Sequence, residues 1–455
     1  MSAFIDKVGS VSERSESAST SDLPPGMMRR VAWRVLPIVS LAFFLAFLDR
    51  TNISMAALTM SGDLGFTATI FGLGASLFFV GYCLFEVPSN IALQKFGPCA
   101  WFARIMFTWG LFAVAMAFVW NDYSFYICRF LLGVAEAGFY PGLMFYFTYW
   151  FPATYRTSMI GILAAGLPLA STIGAPLGGL LLQLNGVWGL MGWQWLFIIE
   201  GIPTLILAVA IFFIMPDRPA NASWLSKQER DLLESILEHE RTYLATIRNN
   251  SLGSVLLSGK TWLLGICYLL IQVGLYGVGF FLPQIIKAFG GLSNLSVGYL
   301  AAIPSFCAVV SVIYWPRHSD RTGERVWHVA SASVLGFVGL VVAAYAGSPT
   351  VSLIALCVAS AGIMAAIGTF WSFPTTLLGG SSAAAALALV NAIGGAGGFF
   401  GPNIMGWLKD ATGDYRIGLL VLSSSLVVAA VIALSFKGAL SRQRASTVAP
   451  APMLP

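Results

Sequence analysis

Charge is what this sequence has least of. Asp, Glu, Lys and Arg make up 10% of its 455 residues, against about a quarter in an average soluble domain. Histidine is scarcer still: His239, His318 and His328 are the only three, and all fall in segments expected to lie in the cytoplasm. No Gly-x-Ser-x-Gly, His-Glu-x-x-His or glycine-rich phosphate loop occurs, so there is no catalytic constellation and an enzyme is not expected. The six cysteines, Cys83, Cys99, Cys128, Cys267, Cys307 and Cys357, stand singly in or beside apolar stretches. Without ligand spacing or pairing they argue against a metal cluster or a disulfide framework and are read as small core residues. Residues 1 to about 27 are polar and serine-rich and lack the apolar core and cleavage site of a signal peptide, so a disordered tail is expected. Tails and loops are too short for the output domain of a receptor.

Apolar length is what the sequence has in quantity. Hydrophobic residues reach 57% and mean hydropathy is +0.80. Twelve apolar segments can be counted, of a length that fits membrane helices and not the alternating ten-residue strands of an outer-membrane barrel. The expected fold is an all-α polytopic membrane protein with 12 transmembrane helices. With both termini cytoplasmic, 20 of the 25 Lys and Arg fall in inner segments, three (Lys287, Lys409 and Arg416) in outer loops, and two, Arg50 and Arg129, inside spans. That bias fixes the orientation and accounts for a net charge of +5 without a nucleic-acid partner.

Asp49 and Arg50 interrupt the first apolar run, Val35 to Ala57. An ionised side chain at such depth costs from about 2.5 kcal/mol upward, so the pair should face a partner or a wet cavity. The bland alternative is that both snorkel at the outer end of the helix, but a rise of about 1.5 Å per residue leaves Arg50 about 20 Å into a core about 30 Å thick. Adjacent in sequence, they point about 100° apart and meet different neighbours. Arg50 suits a substrate carboxylate, because its planar fork pairs bidentately; Asp49 is left free to carry a proton.

Glu136 is a second candidate proton carrier, set among Gly133, Ala135, Ala137 and Gly138 in the fourth apolar segment; small neighbours admit a close helix or a polar cavity. The alternative is a fixed structural partner of an arginine such as Arg129, but seven residues put that arginine roughly 10 Å along the axis. Counted from the outer ends, Glu136 lies about 20 Å down and Arg50 about 10 Å, so proton and substrate are expected in separate subsites. Tyr82 in the second span, Gln272 and Tyr276 in the seventh, and Asn391 in the eleventh offer hydrogen bonds to a ligand or between helices. Trp371 could wall an organic acid or simply pack.

Two landmarks recur at one offset. Gly97 and Gly323 lie in short inner loops 226 positions apart, and Pro176 and Pro402, in the fifth and eleventh spans, are also 226 apart. This argues for a repeat of six spans. The domains are read as a tail (1–29), a first half (30–216), a connector (217–258), a second half (259–437) and a tail (438–455). In the connector, Ser226 and Glu229 make a capping-box pattern ahead of an apolar stripe, Leu225, Leu232, Leu233, Ile236 and Leu237, which predicts an amphipathic helix on the inner face. It is read as a structural tie between the halves, with a regulatory partner site as the alternative.

The inner loop Asp320-Arg321-x-Gly323-x-Arg325 is similar to the cytoplasmic gating signature of the major facilitator superfamily, and Arg129-Phe130-x-x-Gly133 resembles its fourth-span motif. The first-half loop departs, with Gln94 and Lys95 in place of Asp-Arg. Further strings resemble the anion:cation symporters of that superfamily: Leu48-Asp49-Arg50-x-Asn52, Glu86-Val87-Pro88-Ser89-Asn90, Glu136-Ala137-Gly138-Phe139-x-Pro141-Gly142, Trp193-x-Trp195-x-Phe197-x-x-Glu200-Gly201, and Asn391. The resemblance implies two six-helix halves with a midplane site, proton coupling at Asp49 and Glu136, and substrate contact at Arg50 and Asn391. It implies a secondary active transporter of the cell inner membrane, taking up a small organic anion such as tartrate or a sugar acid together with protons. Aromatic-acid uptake (phthalate, hydroxyphenylacetate) and metabolite or drug antiport are the alternatives. A monomer in the lipid bilayer, without cofactor, metal or nucleic acid, is expected.

Overall fold

The structure is a computed structural model and describes residues 22–164, 166–247, 258–377 and 383–438. The expected tails up to residue 21 and from residue 439, and connector residues 248–257, lie outside the described residues. The first half consists of α1 (Met27–Leu64), α2 (Ala68–Phe96), α3 (Pro98–Ala115), α4 (Asp122–Glu136) followed by α5 (Phe139–Trp150), α6 (Ala153–Ala164) followed by α7 (Gly166–Leu181), and α8 (Gly192–Ile214). The connector holds α9 (Lys227–Ile247). The second half consists of α10 (Gly259–Lys287), α11 (Asn294–Thr322), α12 (Val326–Tyr345), α13 (Pro349–Phe370) with the short α14 (Ser372–Leu377), α15 (Ala383–Gly395) followed by α16 (Gly397–Thr412), and α17 (Arg416–Ser435). Twelve spans long and apolar enough to cross a membrane result among the described residues, as the apolar segments predict.

Local chemistry marks the helix ends. Thr67, Asn121, Ser258, Ser293 and Ser348 each precede a helix and accept from a backbone N–H of its first turn, which satisfies a donor with no partner inside the helix. Between α2 and α3 the chain turns at Gly97, whose φ of 87° a side chain would resist, with Pro98 opening the next helix. The fourth span is broken: α4 stops at Glu136, and Gly138 takes φ 82° before α5 begins.

The 226-residue offset is realised in contacts between the halves. Gly72 of α2 packs on α16, where an added Cβ would stand 2.5 Å from the Pro402 carbonyl oxygen. Gly298 of α11, 226 positions after Gly72, packs on α7, where a Cβ would stand 2.5 Å from the Ala175 carbonyl oxygen, beside Pro176. Each half thus lends the other one glycine-bearing and one proline-bearing helix, and small residues let the backbones touch. Both contacts lie at the end opposite α9. There the Asp410 carboxylate accepts from the backbone N–H groups of Ala68 at 3.1 Å and Thr69 at 2.7 Å, an anion on a helix N-terminus. The halves are closed together at that end.

The amphipathic connector helix forms as its pattern predicts. Ser226 N–H donates to Glu229, and Glu229 N–H donates to Ser226 Oγ at 3.2 Å. Leu225, Leu233, Ile236 and Leu237 are buried. Its tie is to the first half: Glu229 pairs with Arg30, Glu240 with Arg156 at 3.0 Å, and Trp224 stacks on Trp150 at 5.7 Å.

Candidate functional site

Three carboxylates and two arginines are buried inside the first half: Asp49 and Arg50 on α1, Arg129 and Glu136 on α4, and Glu200 on α8. Each uncompensated charge in such a place costs several kcal/mol, so the partners decide the chemistry. Arg50 is ion-paired with Glu136. The two helices are brought within reach by α2, which packs on α4 through Gly81 and Gly133, so that a Cβ at Gly133 would stand 2.0 Å from the Phe78 carbonyl oxygen. Aromatic rings surround the guanidinium: Phe47 at 4.7 Å, Phe78 at 4.9 Å and Tyr82 at 5.4 Å from its carbon, with Tyr276 reaching it from α10. Such faces favour a cation.

Asp49 turns the other way, as its 100° offset requires. Trp109 Nε1 of α3 donates to Asp49 Oδ2 at 2.9 Å and Thr204 Oγ1 of α8 donates to the same oxygen at 2.8 Å. Arg129 does not partner Glu136; its guanidinium lies against the carbonyls of Gly74 and Ala75, both at 3.4 Å. The expectation of a 10 Å separation between Arg50 and Glu136 is overturned by their direct pairing. Its error lies in where the helices end. Helix α1 continues to Leu64, 14 residues beyond Arg50, and Asp122 opens α4 14 residues before Glu136, so both groups sit about 21 Å from that end.

Beside Arg50 a cavity opens between the halves, walled by α1 and α7 on one side and α10 and α11 on the other. It is partly open to solvent, and Phe47, Thr51, Asn52, Ser171, Tyr276 and Ser305 are among its walls. Tyr82 is drawn into the arginine cluster, whereas Gln272, Asn391 and Trp371 are not part of this cavity wall. Gln272 is buried against Gly397; Asn391 is half-buried on α15; Trp371 packs edge-on against Tyr268 at 5.0 Å. Among the described residues no group of three or more His, Cys, Asp or Glu is placed to hold a metal.

The Asp320 to Arg325 loop joins α11 to α12 and folds on itself. Gly323 takes φ 65°, Arg325 meets Asp320 at 3.6 Å, and the Glu324 carboxylate accepts from the N–H groups of Val326 and Trp327; Arg321 is exposed. In the first-half loop, which lacks the signature aspartate, Asp217 from beyond α8 accepts from the Cys99 N–H at 2.7 Å. Sequence reasoning missed Asp217, and also Trp109, Thr204 and Phe78 as partners of the buried charges. None carries a local pattern; the one available signal was the demand of Asp49 for donors.

The Major Facilitator Superfamily family description matches residues 39–402. A protein of Agrobacterium vitis named "Putative tartrate transporter" is 46% identical, over 92% of this chain and 93% of its own length. A "Quinolone resistance transporter" of Acinetobacter baumannii is 38% identical, over 94% and 98%. In fold the chain is similar to a bacterial homologue of the human lysosomal transporter Spinster, solved in an inward-facing and unoccupied conformation, with a TM-score of 0.73 at 18% identity over 92% of this chain and 99% of that one.

Proposed function

The chain belongs to the major facilitator superfamily, in a branch of anion:cation symporter type, and is a transporter and not an enzyme; on that premise we propose that it takes up a small organic carboxylate together with protons by alternating access. The observation that carries this reading is the buried Arg50–Glu136 pair, reached by Phe47 and Tyr276 of the wall of a cavity between the halves. A substrate carboxylate competes with Glu136 for the same guanidinium. Once displaced, Glu136 is a buried anion without a cation unless it takes a proton. Binding and protonation are thereby linked, and neither needs a separate sensor.

In this scheme Arg50 holds the substrate, Glu136 and Asp49 carry protons, and Tyr82 walls the arginine. Gln272, Asn391 and Trp371 meet the substrate when the second half closes over it. The loop with Asp320, Arg321, Gly323 and Arg325 gates the inner end. Residues 30–216 and 259–437 rock as two bodies about the connector 217–258, as a monomer in the inner membrane with both termini cytoplasmic. Tartrate is the first substrate to try, on the strength of the relative's name; sugar acids and aromatic acids follow. The relative named for quinolone resistance supports a second reading, drug efflux by antiport.

Proteoliposomes with an inward proton gradient separate these readings. Accumulation of labelled tartrate, competed by a panel of carboxylates, is expected. Absence of carboxylate uptake under every imposed gradient, with quinolone leaving against protons, would select efflux instead.

A further inference from the structure

Glu200 has no part in the scheme above, yet it is only 2% exposed, in the middle of α8, with both carboxylate oxygens buried and without a hydrogen-bond partner. Its surroundings follow from its neighbours. Thr204, one turn further along α8, donates to Asp49, and Asn52 is one turn from Asp49 on α1. The Glu200–Thr204 edge of α8 therefore lies along the Asp49–Asn52 edge of α1, with Asn52 facing Glu200 and Asp49 the charge acting on it. Asp49 Oδ1 is also buried and unpartnered.

Among the described residues no cation is paired with either acid. On α1, Arg50 is turned to Glu136, Arg29, Arg30 and Arg34 stand at the connector end, and Asp63 accepts from Trp193 Nε1 at 3.0 Å near the closed end. On α3 the one charged residue, Arg104, lies over the Trp101 ring at 3.9 Å, and α7 has none. Two carboxylates sharing one buried site without a cation cannot both be ionised at acceptable cost, and their protons belong to the pair. Asn52 both faces Glu200 and lines the cavity.

We infer that Asp49 and Glu200 form a two-carboxylate site holding one exchangeable proton, with Glu200 loading it from cavity water past Asn52, so that each cycle moves a proton here besides the one on Glu136. The proton comes from water on one side and returns to water on the other, and nothing is oxidised or reduced. This rests on the symport reading for its role in transport, though not for the shared proton itself.

The test has two arms. Infrared difference spectra of the purified full-length protein in H2O and D2O report the protonated-carboxyl C=O stretch with no substrate present. At neutral pH a deuterium-sensitive band is expected, lost in both Glu200→Gln and Asp49→Asn and retained in Glu200→Asp. In proteoliposomes, Glu200→Gln should accumulate carboxylate with one proton fewer per substrate than the parent protein. An unchanged band and an unchanged ratio in Glu200→Gln would overturn the inference. If the parent protein accumulates no carboxylate on a proton gradient, the symport reading fails, and the infrared arm still decides the shared proton. Should Glu200→Gln not fold, Asp49→Asn gives the spectral answer from the other partner.

Discussion

A guanidinium that already has a carboxylate partner is a poor host for a second one unless the first can be neutralised, and Arg50 and Glu136 stand in that relation. Lysine at position 50 would keep the charge but replace a planar fork with a point donor. Arg50→Lys is expected to weaken carboxylate binding at least tenfold, about 1.4 kcal/mol, in equilibrium binding to the detergent-solubilised protein; near-normal affinity would reduce Arg50 to a structural partner of Glu136. Glu136→Gln mimics the protonated acid, so counterflow exchange should survive while accumulation driven by a pH gradient falls to what the Asp49–Glu200 proton alone can drive. Normal gradient-driven accumulation by that variant would remove Glu136 from the proton path. At this scale the sequence announced the charged residues, because ionisable groups in an apolar run are conspicuous. It could not announce their pairing, since the polar tail of α1, from Thr59 to Asp63, ends the apolar run before the helix ends. Asp63 is exposed at that end and accepts from Trp193 Nε1, a contact from 130 residues away.

Among the elements, α9 offers the most direct test of a reading made from local pattern. Its capping box was legible because Ser226 and Glu229 are three residues apart and need nothing else. The break between α4 and α5 was not, because Gly138 looks like any small residue of a membrane helix until Ser89 of α2 is seen to approach to where a Cβ would clash at 2.6 Å. The Ser226 N–H, and then Arg30, hold the Glu229 carboxyl below its ordinary value. With a depressed folded-state pKa, this contribution is complete above the unfolded value and is lost as pH falls through the folded one. Docking of α9 should therefore survive mild acid and loosen only in stronger acid. Glu229→Gln should cost about 0.5–1 kcal/mol of that docking, read as faster amide exchange confined to α9; identical exchange in variant and parent would mean that Trp224 and the leucine face hold the helix alone.

For the whole molecule, the repeat offset was legible from four residues, and the exchange of helices between halves was not, because spacing says which helices correspond and not which ones touch. Cysteines at Ser226 and Asn294 are expected to react with impermeant labels from opposite sides of the membrane. Labelling of both from one side would overturn the topology. Gly72→Val and Gly298→Val should each hold the end opposite α9 apart, since the added atoms meet a backbone carbonyl. Spin-label distances between the outer ends of α2 and α16 should lengthen in both variants, and exchange should stop; short distances would show that the helices can slide past the obstruction. At the closed end the glycine and proline contacts meet backbone and freeze no rotamers, and the Asp410 carboxylate and the Phe71–Phe281 ring pair add few. A seal of long ionic side chains would shift its preference between open and shut as temperature changes, through the entropy of those chains. This one should keep nearly the same balance from cold to warm, so that cooling slows the carrier without locking it to one side.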